Sequence, residues 1–277
     1  MRRFLLCTDM DRTLIPNGTA PESIGARQMF SRLAKNEQAT IVYVTGRHRK
    51  LIEQAIEQYE LPQPDFAIAD VGTTIYELKR GFWRQWDGWA DEIDTDWKGM
   101  SSHELRTLLH DLPELKLQEQ EKQNRHKLSY YLPLAADEQH TMKEIENRLK
   151  KAGIGANLIW SIDEQTEVGL LDILPASANK LHAINFFMQK HGFNYDNTVF
   201  AGDSGNDLDV LLSPIHAVLV ANASEDVRAI AERSDLRANL YLAKGGYLGM
   251  NGNYSAGILE GIAYFLPYVD SWLRGNK

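Results

Sequence analysis

The most constraining feature of this chain is an alternation of short apolar runs with helical stretches that occurs twice, once at each end. Phe4 to Thr8 and Ile41 to Thr45 are rich in strand formers, and each ends in polar or glycine residues. Between them, Glu22 to Lys35 carries Ile24, Met29, Phe30 and Leu33 at roughly helical spacing. The pattern returns with a helix at Leu181 to Gln189, a strand at Thr198 to Ala201, a helix at Leu208 to Leu212 and a strand at His216 to Ala221. Strands alternating with helices predict a parallel sheet covered on both faces, an α/β fold.

The middle breaks this rhythm. A stretch holding Trp83, Trp86, Trp89 and Trp97 is followed by a helical run from Ser101 to Leu109 and the alternating segment Lys127 to Leu132. A helix over Glu138 to Ala152 and strands near Leu158 to Ile162 and Val168 to Leu174 complete it. Two or three strands with two helices predict a compact α+β insert. The division expected is a core from 1–83 and 175–277 and an insert from 84–174. The tryptophans are read as packing the insert, with sugar stacking as the alternative.

With 277 residues, 43% hydrophobic and 25% charged, the chain can bury a core without disulfide staples. Its net charge of −8 and lack of a basic tract argue against nucleic acid or an anionic membrane as partner. The first apolar run is too short for a signal peptide or a membrane span, and the one cysteine, Cys7, lies on a predicted strand. These features predict a cytoplasmic protein with Cys7 as a buried small hydrophobe.

In open parallel sheets ligands bind beyond the carboxyl ends of the strands, and four such places hold reactive groups. They are Asp9-Met10-Asp11-Arg12-Thr13, Thr45-Gly46-Arg47, Asn179-Lys180, and Gly202-Asp203-Ser204-Gly205-Asn206-Asp207. Two carboxylates two residues apart can divide labour if their surroundings differ. Asp9 would stay ionised and attack phosphorus, while Asp11 would donate to the leaving alkoxide and then accept a proton from water. Turn or capping aspartates are the bland reading of the same pair. Carboxylates in the glycine-containing 202–207 segment suit a hard cation, and magnesium is the natural choice. It would bridge the Asp9 carboxylate, the Asp11 carbonyl, Asp203 and a phosphate oxygen, with Asp207 and Asn206 holding waters and neighbouring side chains. Thr45 and Lys180 offer the donors that a transferring phosphoryl group needs, although alone they read as an N-cap and a surface lysine.

The ordered set Asp-x-Asp-x-Thr, Thr-Gly-Arg, Asn-Lys and Gly-Asp-Ser-Gly-Asn-Asp resembles the four motifs of the haloacid dehalogenase superfamily. Thr13 and Asp11 point to its phosphatases rather than its dehalogenases. Nearly the whole chain is similar to sucrose-phosphate phosphatase and its relatives, through Val44 to Arg47, Val71 to Tyr76, Lys127 to Leu132, Asp172 to Lys180, Asn222-Ala223 and Ala256 to Ile262. The resemblance implies a Rossmann-like core with a smaller α+β cap of the C2 type and a magnesium-dependent phosphatase that forms an aspartyl-phosphate on Asp9. It implies catalytic roles for Asp9, Asp11, Thr45 and Lys180, and metal ligation by Asp9, Asp11, Asp203 and Asp207. Substrate contacts are expected from Thr13, Thr45, Gly46, Arg47, Lys127, Tyr130, Asn179, Lys180 and Asn206, with His48 and Thr73 next. Met10, Arg12 and Leu181 stand where the family usually has leucine, asparagine and glycine. Sucrose 6-phosphate is the leading substrate, with mannosylfructose phosphate or a glucosylglycerate-type phosphate as alternatives and a sugar-phosphate synthase as a conceivable partner. A phosphomutase and a non-catalytic sugar-phosphate sensor are the competing classes.

Overall fold

The computed structural model describes residues 2–163, 166–233 and 237–275. Its contacts divide the chain into two compact units, Met1–Gln85 with Ala183–Lys277, and Trp86–His182. The first unit begins with strand β1 (Phe4–Thr8), helix α1 (Ala26–Ala34), β2 (Ala39–Val44), α2 (Arg49–Gln58), β3 (Phe66–Ala69), β4 (Thr74–Lys79) and β5 (Phe82–Gln85). The insert contributes α3 (Asp87–Asp94), α4 (Ser102–Arg106), β6 (Lys116–Leu117), β7 (Leu128–Pro133), α5 (Glu138–Lys151), β8 (Ala156–Asp163) and β9 (Val168–Pro175). Helix α6 (Lys180–His191) leads out of it into β10 (Thr198–Gly202), α7 (Leu208–Leu211), β11 (His216–Leu219) and α8 (Glu225–Arg233). Strand β12 (Leu240–Leu242) and helices α9 (Ser255–Phe265) and α10 (Pro267–Leu273) close the chain.

The large sheet has the order β12-β11-β10-β1-β2-β3-β4-β5, parallel from β12 through β3 and antiparallel at β4 and β5. All five residues of β1 are buried, because an interior parallel strand has helices on both faces and reads as a continuous apolar run. From β1 the chain winds outward through β2 and β3; from β10 it winds the opposite way through β11 and β12. That reversal makes the boundary between β1 and β10 a topological switch point, where carboxyl ends of neighbouring strands open a crevice. The register pairs Thr8 with both Tyr43 and Ala201, so β1, β2 and β10 end at one level.

Close packing of α9 on the sheet depends on glycine. A Cβ at Gly257 or Gly261 would run into the side chains of Val220 and Val218, so only hydrogen lets the helix lie this near β11. Helix α1 begins at Ala26 rather than at the expected Glu22, because Gly25 enters the left-handed region at φ 81° and breaks the turn before it. Cys7 is fully buried, and burial pushes its thiol well up. Among the described residues no helix is long and apolar enough to cross a membrane.

The insert is a four-stranded antiparallel sheet, β6-β7-β9-β8, with its core on one face. Leu128, Tyr130, Leu171 and Ile173 project into that core with Trp97, Leu105, Ile145 and Leu149. Trp89 and Trp97 are fully buried, which fits packing; Trp86 is half-buried, and Trp83, on β5 of the first unit, sits edge-on to Tyr76. The expected 101–109 helix has its Ser101 capping box, but the α-helix spans only Ser102–Arg106.

Candidate active site

Asp9, the residue after β1, donates its backbone N–H to the Ala201 carbonyl at 2.8 Å, which holds it against the end of β10. The chain then hooks: the N–H groups of Thr13, Leu14 and Ile15 all converge on the Met10 carbonyl. Arg12 takes φ 57° within this hook. Its N–H donates to Asn17 Oδ1 at 2.8 Å and its carbonyl accepts from Asn222 Nδ2 at 2.6 Å. Asn222 in turn accepts the Tyr254 N–H, which ties the hook to the start of α9.

At the end of β10, the loop 203–207 folds back on itself. Asp207 Oδ2 accepts from the N–H groups of Asp203 and Ser204 at 3.1 and 3.2 Å and from the Ser204 hydroxyl at 3.2 Å. Gly202 permits this: a Cβ there would stand 2.6 Å from both Cγ and Oδ2 of Asp207. The outcome is that carboxylate oxygens of Asp9, Asp203 and Asp207, all buried, lie within 4.8 Å of one another. Thr13 donates to Asp203 Oδ1 at 3.1 Å, and Arg12 Nε approaches Asp203 Oδ2 at 3.4 Å. Three buried carboxylates repel one another at a cost that a cation removes. An all-oxygen set of this kind matches a hard divalent ion such as magnesium.

The carboxyl of Asp11 lies elsewhere. Arg47 grips it bidentately, Nε to Oδ2 and Nη2 to Oδ1 at 2.7 Å each, and Asn17 Nδ2 donates to Oδ1 at 2.7 Å. This pairing is the main reason the Arg47 guanidinium is raised above its ordinary pKa. Thr45, after β2, is buried and its hydroxyl oxygen accepts the Arg47 N–H at 3.2 Å, the turn that brings Arg47 round. Gly46 lies between them. Asn206 accepts from the Ser204 hydroxyl at 2.9 Å.

The remaining expected residues belong to the insert. Asn179 caps α6 by accepting the His182 N–H at 2.8 Å, and Lys180 is buried in the first turn of that helix. Lys127 is buried with its ammonium 3.4 Å from Asp172, which also accepts from Ser129 at 2.5 Å. Tyr130 projects to the opposite, apolar face. Burial pushes its hydroxyl up to about 12, and it makes no hydrogen bond among the described residues. Asn17 was not foreseen, because Pro16-Asn17-Gly18 reads as an ordinary turn. Asn222 was quoted only as part of a family-like stretch, with no role attached.

A mostly parallel sheet with a carboxylate cluster at its switch point, in a chain that also carries a four-stranded antiparallel insert, is the arrangement expected of a phosphatase of the haloacid dehalogenase superfamily, a phosphoric monoester hydrolase, and the comparisons with known proteins agree. The family model for sucrose-6F-phosphate phosphohydrolase matches residues 2–266, and the chain belongs to that family. A putative HAD-like hydrolase of Nitrosococcus oceani is 51% identical over 100% of this chain and 75% of its own length. A probable sucrose-phosphatase 2 of Arabidopsis thaliana is 30% identical over 81% of this chain and 52% of its own, so the chain spans about half of that relative. The solved structure of the Synechocystis sucrose-phosphatase, in complex with sucrose and phosphate, covers 96% of this chain and 98% of its own with a TM-score of 0.71 at 25% identity.

Proposed function

We propose that the chain hydrolyses sucrose 6-phosphate to sucrose and phosphate with magnesium, through an aspartyl-phosphate on Asp9. The observation that carries this reading is the buried trio of Asp9, Asp203 and Asp207 at the strand ends, beside a second carboxyl, Asp11, held apart on Arg47. Asp9 attacks phosphorus as the bond to the sugar oxygen breaks, and Asp11 gives its proton to that oxygen. Asp11 then takes a proton from water, whose oxygen displaces Asp9 and releases phosphate. Both oxygens of Asp11 are engaged by Arg47 and Asn17, so Arg47 must let go before Asp11 serves the leaving group. Asp9, Asp203, Asp207 and the Asp11 carbonyl would hold a magnesium ion, which would offset the charge between nucleophile and phosphate.

Thr45 and Lys180 serve the phosphoryl oxygens, and the insert acts as the cap that selects the sugar. The polar side of β7, with Lys127, Ser129 and Asp172, offers groups better suited to sugar hydroxyls than Tyr130, which sits in the apolar core. The test is phosphate release from a panel of disaccharide and monosaccharide phosphates, with and without magnesium. Sucrose 6-phosphate is expected to lead the panel. Asp9→Asn protein should keep the wild-type melting temperature and lose turnover, and normal turnover in that variant would refute the mechanism.

A further inference from the structure

Beyond β3 three consecutive residues take left-handed backbone conformations: Asp70 at φ 53°, Val71 at φ 60° and Gly72 at φ 94°. Glycine adopts this region freely and aspartate tolerates it, but a β-branched valine is an outlier there. Strain of this kind persists only where surrounding contacts impose it. Here the contacts are specific. The Asp70 N–H donates to the Arg47 carbonyl at 3.0 Å and the Val71 N–H to the Thr45 carbonyl at 3.3 Å, so the two strained amides clamp the chain on either side of Gly46. Thr73 closes the turn, donating both its N–H and its hydroxyl to the Asp70 carbonyl.

The clamp also places a side chain. A Cβ built on Gly46 would lie 3.8 Å from Cγ2 of Val71, so the isopropyl group stands at van der Waals range beside that glycine. All four residues of β3 are buried, whereas Val71 is partly exposed. It therefore presents apolar surface at the carboxyl edge of the sheet, next to Thr45 and Arg47, on the side where ligands of such sheets bind.

We propose that Val71 is a specificity-determining residue, an apolar wall beside Gly46 against which the C–H face of a sugar leaving group packs. The inference rests on the phosphatase reading above. Polar groups at Arg47 and Asp11 address the leaving group's oxygens; Val71 supplies the surface that favours a ring over a small or fully hydrated leaving group.

The experiment compares wild type with Val71→Ala and Val71→Gly on two phosphates, the preferred disaccharide phosphate and acetyl phosphate, whose leaving group is too small to fill a ring-sized pocket. Removing the two γ-carbons of a partly exposed wall should lower the ratio of kcat/KM for the disaccharide phosphate over acetyl phosphate by about fivefold, mostly through KM. Both variants should show this loss. Val71→Gly alone should also melt no lower than wild type, because it relieves the strained φ. An unchanged ratio, whether both activities fall together or neither does, overturns the proposal while leaving the phosphatase reading intact. Wild-type protein that releases phosphate from no ester refutes that reading, and this inference with it.

Discussion

Gly202→Ala is the sharpest test of how the carboxylate cluster is built. A Cβ at this position would stand 2.6 Å from Cγ and Oδ2 of Asp207 and 2.9 Å from its Cβ. Carbon atoms in contact prefer 3.5–4.0 Å, so the Asp207 side chain must retreat by about 1 Å. That retreat strains or breaks the bonds Oδ2 accepts from Asp203 N–H, Ser204 N–H and the Ser204 hydroxyl. Overpacking of this size costs about 1–3 kcal/mol, which lowers the melting temperature by about 2–5 °C in a chain of this size. The larger effect falls on metal binding. Magnesium demands near-ideal oxygen geometry, and disturbing the groups that orient its ligands costs about 10- to 100-fold in affinity. Calorimetric titration with magnesium, read beside phosphate release at saturating and limiting magnesium, measures it. Gly205→Ala is the control in the same loop, because a Cβ there meets nothing within 4 Å. Wild-type magnesium affinity and melting temperature in Gly202→Ala would refute the reasoning.

Arg12→Gln should tighten magnesium binding by about threefold, since it removes a half-exposed cation 3.4 Å from Asp203 and the attraction it competes with is screened by solvent; equal or weaker binding in the titration would show that Arg12 does not compete. Acidification should loosen the insert in two stages. Burial holds His126 below its ordinary 6.5, so the folded insert favours the neutral ring and stability declines as pH falls below that value. Asp94, held down chiefly by its hydrogen bond with His126 and by Arg125, contributes stability that is present above 3.8 and is lost as pH falls through its lower folded value. Melting curves followed by tryptophan emission check this, as the Trp97 ring lies 5.9 Å from His126; stability rising on acidification would contradict it.

The elements legible in the sequence were those whose residues meet one requirement at a time. Strand β1 is buried throughout and β10 ends on a glycine, so their apolar runs and stop signals were plain. Helix α2 buries only Ile52 and Ala55, and β3 has four residues, so neither pattern rises above its neighbours. The antiparallel extension through β4 and β5 is not legible either, because a mostly exposed edge such as Phe82–Gln85 lacks clean alternation. At the site, motif spacing brought Asp9, Asp203 and Asp207 to adjoining strand ends in expectation, and their oxygens lie within 4.8 Å. Periodicity could not decide which way Tyr130 faces, because flanking residues on both sides of β7 are buried: Ser129 by its bond to Asp172, Leu128 and Leu132 by apolar packing. Nor could it find Val71, whose conformation is imposed by carbonyls of residues 45 and 47.

The different fates of Asp9 and Asp11 follow from backbone geometry rather than from residue type. Asp9 extends the line of β1, pinned to β10 by its amide, and so its carboxyl enters the crevice with Asp203 and Asp207, 5% exposed. One residue beyond Asp11 the chain turns left-handed at Arg12, a conformation costing about 1–2 kcal/mol that Asn17 and Asn222 hold from its N–H and carbonyl. Asp11, at the start of this hook, stays 41% exposed on its side chain and meets Arg47 instead of the cluster. Had the strand run on straight, alternation would have put Asp9 and Asp11 on the same face two residues apart. Two like charges would then share one crevice, and their repulsion would push one of them toward its protonated form. In the mechanism proposed above, the hook would separate the carboxylate that attacks from the one that transfers the proton, and Asn17 and Asn222, which hold it, would be positioning residues.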